Sequence, residues 1–547
     1  MATTTVKIAG VPYVVEGIIE EYDVPNLAEA RRSGPTRRSQ NLKVDRVPVD
    51  WSSGLGYARK NHETTRGVSG LRDADAETRF SILSLPYQRV AETGEAGHFR
   101  KYFHFQEELY VAEELTYASD AEGGMRCYKF DTSGTNWESA GTGPDANGDN
   151  TDGVRIFDVV EWKDQTFWLG CAKDPDKDGA SESTETAYSI TRTADFSTWE
   201  AADVAVSSYV ATTAKLRQSN YEDHLGRMLA LGDNLIIAVW DSADGRVALL
   251  YSTNMDAGTQ GSQATVSAIG VVAASATDPV RGLVEWNDPF TAGNPFVPIV
   301  STAYNAYIVD VAGTQLVPLF PAGVLTGAAG DGIMTVGANG ALYITKHSGD
   351  ILELSFSNTT LVVNNVGPST RSARASGDGL IAARQGYTTF LLGSSPTWLY
   401  VAYGGTFSGK KKSILAMEYA TGVWHSVYYD DGSTYSEDAG ERIWGLVLST
   451  EDDGIERLHW FTEGTTRGPG TASKAYHIVR PSENPVLRGT NGDYKDGGYV
   501  EFAQDDGGDP HLTMAVFQAL LAADDLSGST SNEHADIQYG VDGAGWT

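Results

Sequence analysis

At 547 residues the chain is too long for one small domain and long enough for one large body with appendages. Sixty glycines and 19 prolines beside 12 Trp and 26 Tyr pair turn formers with flat side chains, which favours β structure, and 41% hydrophobic residues exclude a disordered chain. Forty-one Lys and Arg against 72 Asp and Glu leave a net charge of −31, which argues against nucleic acid or an anionic membrane as partner; two cysteines, Cys127 and Cys171, exclude a disulfide scaffold and are expected as buried free thiols, a single bridge between them being the alternative.

The first 17 residues have no basic segment ahead of an apolar one and carry Glu16, so no secretory signal is read there. Residues 1–66 hold ten Lys/Arg and eight Asp/Glu, leaving 31 bases and 64 acids, a charge of −33, for the rest. We read 1–78 as an extended basic N-terminal arm, with loops at Gly34-Pro35 and at 50–56. A basic arm on an acidic body suits docking on an acidic neighbour, including another copy of the chain. A solvated arm is the plain alternative.

From about residue 98 a phrase recurs: a short apolar strand, a tight turn, a second apolar strand, then a third with alternating apolar positions. The second strands begin at Leu109, Phe167, Leu235, Phe296, Leu342, Leu399 and Leu458, at steps of 58, 68, 61, 46, 57 and 59 residues. Their predicted first partners are 99–103, 156–160, 228–231, 283–286, 333–336, 390–392 and 444–447. Third strands are predicted at 125–130, 187–190, 247–251, 306–309, 351–356, 414–417 and 475–479. Outer fourth strands are legible around Trp137 and Trp199 and at 316–319, 361–363 and 423–427. The longest weakly polar stretch, 267–276, is too short to cross a bilayer.

A four-stranded sheet with two apolar faces cannot bury both alone, and packing it between like neighbours in a closed ring solves the problem. The expected fold is therefore all-β, a seven-bladed β-propeller over 79–497, with six to eight blades allowed by the spacing. A linear stack would leave two apolar ends to cap. Closure needs an outer strand from before the first unit, and 79–85 (RFSILSL) is the candidate. Residues 498–547 break the period. Strands are expected at 499–502 and 536–541 and a strand or short helix at 512–521, giving a partial β-sandwich or assembly segment.

The sharpest chemical signal lies between the second and third strands of the second unit. Asp174, Asp176, Asp178, Gly179, Ala180, Glu182 and Glu185 follow the spacing of a calcium loop. Carboxylates of Asp174, Asp176 and Asp178, the Ala180 carbonyl and a bidentate Glu185 would encircle one structural Ca²⁺, with Glu182 adding a ligand directly or through water. No helices flank the loop, and Ser181 replaces the usual apolar residue, so a solvated acidic hairpin is the competing reading. Asp145, Asn147, Asp149 and Asp152 echo the pattern with poorer spacing. Three turns, Asp131 to Trp137, Asp195 to Trp199 and Asp542 to Trp546, resemble the Asp-box hairpins of sialidase-like propellers, in which the carboxylate holds loop backbone over a Trp. Residues 404–411 approach a phosphate loop but end in Lys411 and are read as a solvated hairpin. The acidic pairs Glu107-Glu108 and Glu113-Glu114 are expected on a solvated face, and no residue is assigned a catalytic role.

Arm, propeller and terminal sandwich together, with the phrases Trp51 to Tyr57, Asp75 to Phe80 and Ala420 to Trp424, resemble virion structural proteins of tailed bacterial or archaeal viruses. The resemblance implies a non-enzymatic tail component (nozzle, tip or adaptor) assembled as a symmetric homo-oligomer with other tail proteins. It also implies building in the host cytoplasm and residence in the virion. The alternative is a carbohydrate-active propeller, hydrolase or glycan binder, acting on a host-surface glycan. A cellular peptide-binding scaffold is the third reading.

Overall fold

A computed structural model describes residues 4–8, 11–15, 68–72, 74–78, 81–84, 88–89, 97–115, 125–132, 136–143, 154–172, 188–201, 226–241, 245–256, 265–273, 280–287, 295–311, 315–327, 330–346, 349–357, 360–368, 388–405, 410–420, 422, 424–430, 442–450, 452, 454–463, 474–480 and 499–502. The described elements are strands, and most fall into seven four-stranded antiparallel sheets. Blade 1 runs Gly97–Phe105, Glu108–Leu115, Met125–Asp131, Asn136–Gly143, and blade 2 Val154–Trp162, Gln165–Ala172, Tyr188–Thr193, Trp199–Ala201. Blade 3 is Gly226–Leu231, Asn234–Asp241, Arg246–Ser252, Ser267–Ala273, and blade 4 Gly282–Asn287, Phe296–Ser301, Ala306–Asp310, Gln315–Pro318. Blade 5 is Met334–Val336, Leu342–Lys346, Asp350–Ser357, Thr360–Gly367, and blade 6 Thr388–Leu392, Trp398–Gly405, Lys410–Glu418, Trp424–Asp430. Blade 7 takes Arg442–Thr450, Glu456–Glu463 and Lys474–Arg480, and its fourth strand comes from the other end of the chain.

The ring is closed. Each first strand touches the first strand of the next blade, and that of blade 7 touches that of blade 1. The apolar seams follow the same circuit, because side chains alternate across a strand and the second strands are apolar on both faces. In Trp398–Gly405, Leu399, Val401 and Tyr403 pack with blade 5, while Tyr400 and Ala402 pack with blade 7. Phe99, Tyr102 and Phe130 of blade 1 share a cluster with Val447 and Phe461 of blade 7, so no apolar end face remains. A linear stack is excluded by that contact.

Polar tips of buried aromatics cross the seams as well. Trp162 Nε1 donates to the Gly232 carbonyl and Trp286 Nε1 to the Gly340 carbonyl, each at 3.0 Å, linking blade 2 to blade 3 and blade 4 to blade 5. Both glycines sit in turns with positive φ (56° and 79°), which brings an otherwise orphaned carbonyl within reach of the neighbouring indole.

The closing strand is Gln88–Arg89, which pairs with Tyr476 and His477 of blade 7. This corrects the expectation that 79–85 closes the ring. Ser81–Ser84 folds back on Ala74–Thr78 as a local hairpin, and pairing across two or three residues costs less chain entropy than pairing across the ring. Val68–Arg72 pairs antiparallel with Tyr499–Phe502, so the strands before and after the propeller are hydrogen-bonded to each other. Val68–Arg72 and Ala74–Thr78 both lie against Trp424–Asp430, the outer strand of blade 6. Near the N-terminus, Thr4–Ile8 and Val11–Val15 form a hairpin. Residues 512–521 and 536–541 lie outside the described residues.

Candidate functional site

The innermost strands wall the axis of the ring, and they are not equivalent. Those of blades 6, 7, 1 and 2 each carry one extra residue opposite the second strand, Thr389, Trp444, Arg100 and Phe157 respectively. The paired first strands of blades 3, 4 and 5 run without a shift. A bulge bends its strand and re-aims a side chain, and bulges gather beside binding and active sites. Four contiguous blades therefore present an irregular wall to the axis and three a regular one.

On the irregular side, Lys101 of blade 1 reaches Asp158 of blade 2 at 2.8 Å. Asp158 is buried, and its oxygens also accept the Val159 N–H (3.0 Å) and the Met228 N–H of blade 3 (2.9 Å). One carboxylate thus staples three blades at the axis, accepting from a donor of each. Arg227 of blade 3 donates to the Phe157 and Gly226 carbonyls. Arg100 is buried in blade 1, and Arg281 is buried immediately before the first strand of blade 4. Arg155 and Arg442 begin the first strands of blades 2 and 7. Basic residues therefore stand at or beside the start of four inner strands, those of blades 2, 3, 4 and 7, in a chain whose net charge is −31.

A second polar cluster lies in the seam between blades 7 and 1. His459 and His477 are cross-strand partners, both fully buried, with ring centroids 5.4 Å apart. Phe130, Trp137 and Tyr102 pack around His459, and the Arg457 guanidinium lies 5.9 Å from the Phe130 ring centre. Burial pushes the His459 pKa down to about 3, helped by the positive charge of Arg457 and by His104. Burial likewise pushes the Tyr102 hydroxyl well above its ordinary value.

The turn from Thr193 to Trp199 has the predicted Asp-box geometry. Asp195 Oδ1 accepts the N–H groups of Ser197 (2.9 Å) and Thr198 (2.7 Å), and those bonds hold its carboxyl below the usual range. Trp199 packs edge-on against Trp168 and donates Nε1 to the Phe196 carbonyl. Asp131 pairs with Asn136 across its hairpin, and Trp137 is buried against Phe130; Asp542 to Trp546 lies outside the described residues. Of residues 404–411, Gly405 and Lys410 pair at the ends of the second and third strands of blade 6, and 406–409 lie outside the described residues. Glu108 is half-exposed and bound to Lys129, whose ammonium lowers its pKa. Glu113 differs from the solvated face expected of it: it is buried in the second strand, opposite Arg126 of the third. Cys127 is free and buried.

Asp174, Asp176, Asp178, Ala180, Glu182 and Glu185 lie outside the described residues, within the connection from Gln165–Ala172 to Tyr188–Thr193. Among the described residues no group of three or more His, Cys, Asp or Glu side chains has the geometry to hold a metal ion. Sequence reasoning missed the Lys101–Asp158 staple and the His459–His477 pair. Lys101 and Asp158 are 57 positions apart in the chain, about one blade step, and that periodic spacing was the available signal.

No protein-family model matches the chain, and no curated protein is similar to it in sequence. Solved propeller structures resemble it. The Niastella koreensis GH74 enzyme is 14% identical with a TM-score of 0.42, covering 71% of this chain and 55% of its own. The GH93 α-L-arabinofuranosidase of Fusarium graminearum is 10% identical with a TM-score of 0.41, covering 72% and 97%. A Mycobacterium tuberculosis puromycin-hydrolyzing peptidase is 11% identical with a TM-score of 0.38, covering 70% of this chain, which spans about half (53%) of that protein. At these identities the likeness is one of fold.

Proposed function

We propose that this chain is a non-catalytic structural part of a viral tail, a nozzle, tip or adaptor, in which the propeller serves as rigid spacer and docking body. The observation that carries the reading is the pairing of Val68–Arg72 with Tyr499–Phe502 beside the outer strand of blade 6. The chain thus enters and leaves the propeller at one place, where Val68 is paired with Phe502, and a ring joined to the rest of its chain at a single place can be carried as a unit. The excess of basic over acidic residues in 1–66 then gives that segment an electrostatic partner, the acidic body of a neighbouring subunit.

The test is mass in solution at low and high salt, for the full chain and for a chain lacking 1–66, alone and mixed with other tail proteins of the same virus. The full chain is expected to associate and to recruit tail proteins, and loss of 1–66 is expected to weaken that recruitment at least tenfold. A full chain that stays monomeric in every mixture overturns the proposal.

A second reading, a glycan-binding or glycan-cleaving propeller, draws on the axial wall. Its bulged half and its basic strand starts would suit an acidic sugar at the mouth of the ring. Calorimetry with acidic host-surface oligosaccharides, read together with product release, separates this reading from the first.

A further inference from the structure

One of the seven seams differs from the rest in how the chain crosses it. Six pairs of neighbouring blades follow one another directly in sequence. Blades 7 and 1 do not: they are joined through Gln88–Arg89, the two-residue strand that pairs with Tyr476 and His477 and then leads into blade 1. The piece that shuts the ring is therefore its shortest outer strand.

Three histidines meet at this seam. His104 Nε2, on the first strand of blade 1, lies 3.2 Å from the Ser449 hydroxyl on the first strand of blade 7. His459 and His477 are buried on adjacent strands of blade 7, and the Phe130 ring of blade 1 packs against both. His477 is the register partner of His459 on one side and of Gln88 on the other, so the imidazole pair sits directly under the closing strand. The other titratable groups around it are distributed by element. Arg457 shares the strand of His459 and Glu456 begins it; Tyr102 packs on His459 from the first strand of blade 1; Arg89 is on the closing strand. Beside Phe130, a cleft is lined by Glu107, Glu108, Lys129, Asp131 and Glu138 of blade 1 and Asp452 of blade 7. A proton on His459 thus adds a charge to a buried pocket that already holds the Arg457 guanidinium 5.9 Å from the Phe130 ring centre. Other seams are tied differently. Tyr188 donates its hydroxyl to the Trp240 carbonyl between blades 2 and 3, and Trp424 Nε1 donates to the Val366 carbonyl between blades 5 and 6, through groups that keep their protons in acid.

We infer that the seam between blades 7 and 1 is an acid-released latch: proton uptake by its buried histidines parts the two blades and unpairs Gln88–Arg89 while the other six seams stay shut. Parting the blades hydrates the imidazoles, so the open form binds protons that the closed form excludes. His459 has a pKa near 3 in the closed ring and about 6.5 in water, so the opening constant rises about tenfold for each pH unit below about 6.5, or about 100-fold at pH 4.5. Below about 3 the closed form takes up the proton as well and the rise ends. The inference is independent of the tail reading, because it needs neither a partner nor a second copy.

Amide hydrogen exchange of the full chain at pH 6.5 and 4.5, corrected for the intrinsic chemical rate, tests this. Fragments covering 88–89 and 474–480 are expected to lose about 100-fold in protection on acidification. Fragments covering the second strands of blades 3, 4 and 5 are expected to change less than threefold. In His459→Phe the loss at the latch is expected to shrink at least tenfold, and in Glu456→Gln, which alters a carboxyl group on the same strand, to remain. If His459→Phe does not fold, the wild-type comparison decides alone. Protection lost evenly over all the blades, or a change below threefold at 88–89 and 474–480, overturns the inference. So does a folded His459→Phe chain that opens in acid as wild type does.

Discussion

His459 shows what burial at a seam does to a single residue. Its ring is fully enclosed between aromatic side chains of blades 1 and 7, with Arg457 on the same strand and His104 on the facing one adding positive charge. The neutral form is therefore strongly preferred in the folded protein, with a pKa near 3 against about 6.5 in the unfolded chain. The unfolded chain binds the proton first, so stability falls as pH drops from about 6.5 towards about 3, at no more than about 1.4 kcal/mol per pH unit, and levels off below. Replacing His459 with Phe keeps the volume and removes the titration. The slope of melting temperature against pH in that window is expected to be shallower in His459→Phe than in wild type; equal slopes would place the acid sensitivity elsewhere. Asp195 works in the opposite sense at the surface, where backbone N–H groups favour its charged form, so its contribution is present at neutral pH and lost in acid.

At the level of elements, the seven second strands begin within two residues of where the sequence marks them, because a strand buried on both faces is written as an uninterrupted apolar run. Outer strands were harder to read. Ser267–Ala273 pairs by one edge with Arg246–Ser252 and leaves Val271 exposed, so its composition follows neither an alternating nor a fully buried pattern. Gln88–Arg89 is two residues long, and no periodicity exists at that length. The acidic connection 174–185 joins two strands placed as predicted, and its spacing remains that of a calcium loop. A Ca²⁺ bound there would clamp the connection, in which case chelation is expected to lower the melting temperature by a few degrees, and Asp178→Asn to abolish that difference. A wild-type melt indifferent to chelator and to added calcium removes the metal.

Across the whole molecule, closure makes the stability of one blade depend on residues nearly 400 positions away, since His477 pairs with Gln88. A chain beginning at residue 79 keeps the closing strand, and one beginning at residue 95 loses it while every blade-1 strand remains. The shorter chain is expected to be less stable by about 1–2 kcal/mol, the scale of a few ladder hydrogen bonds, in a urea titration; equal midpoints would mean that the aromatic seam between blades 7 and 1 closes the ring unaided. The amino-acid sequence by itself determined the β class and the repeating unit and held the number of blades to between six and eight, because apolar runs, turn residues and their spacing are local properties that each unit writes into its own segment; closure of the ring at seven was decided by the tertiary structure. Only the tertiary structure decided which segment closes the ring, which half of the axial wall is bulged, and that Lys101, Asp158 and Met228 meet. Those depend on how neighbouring blades are brought together, and the burial that gives His459 and Glu113 their character exists only once the ring has shut.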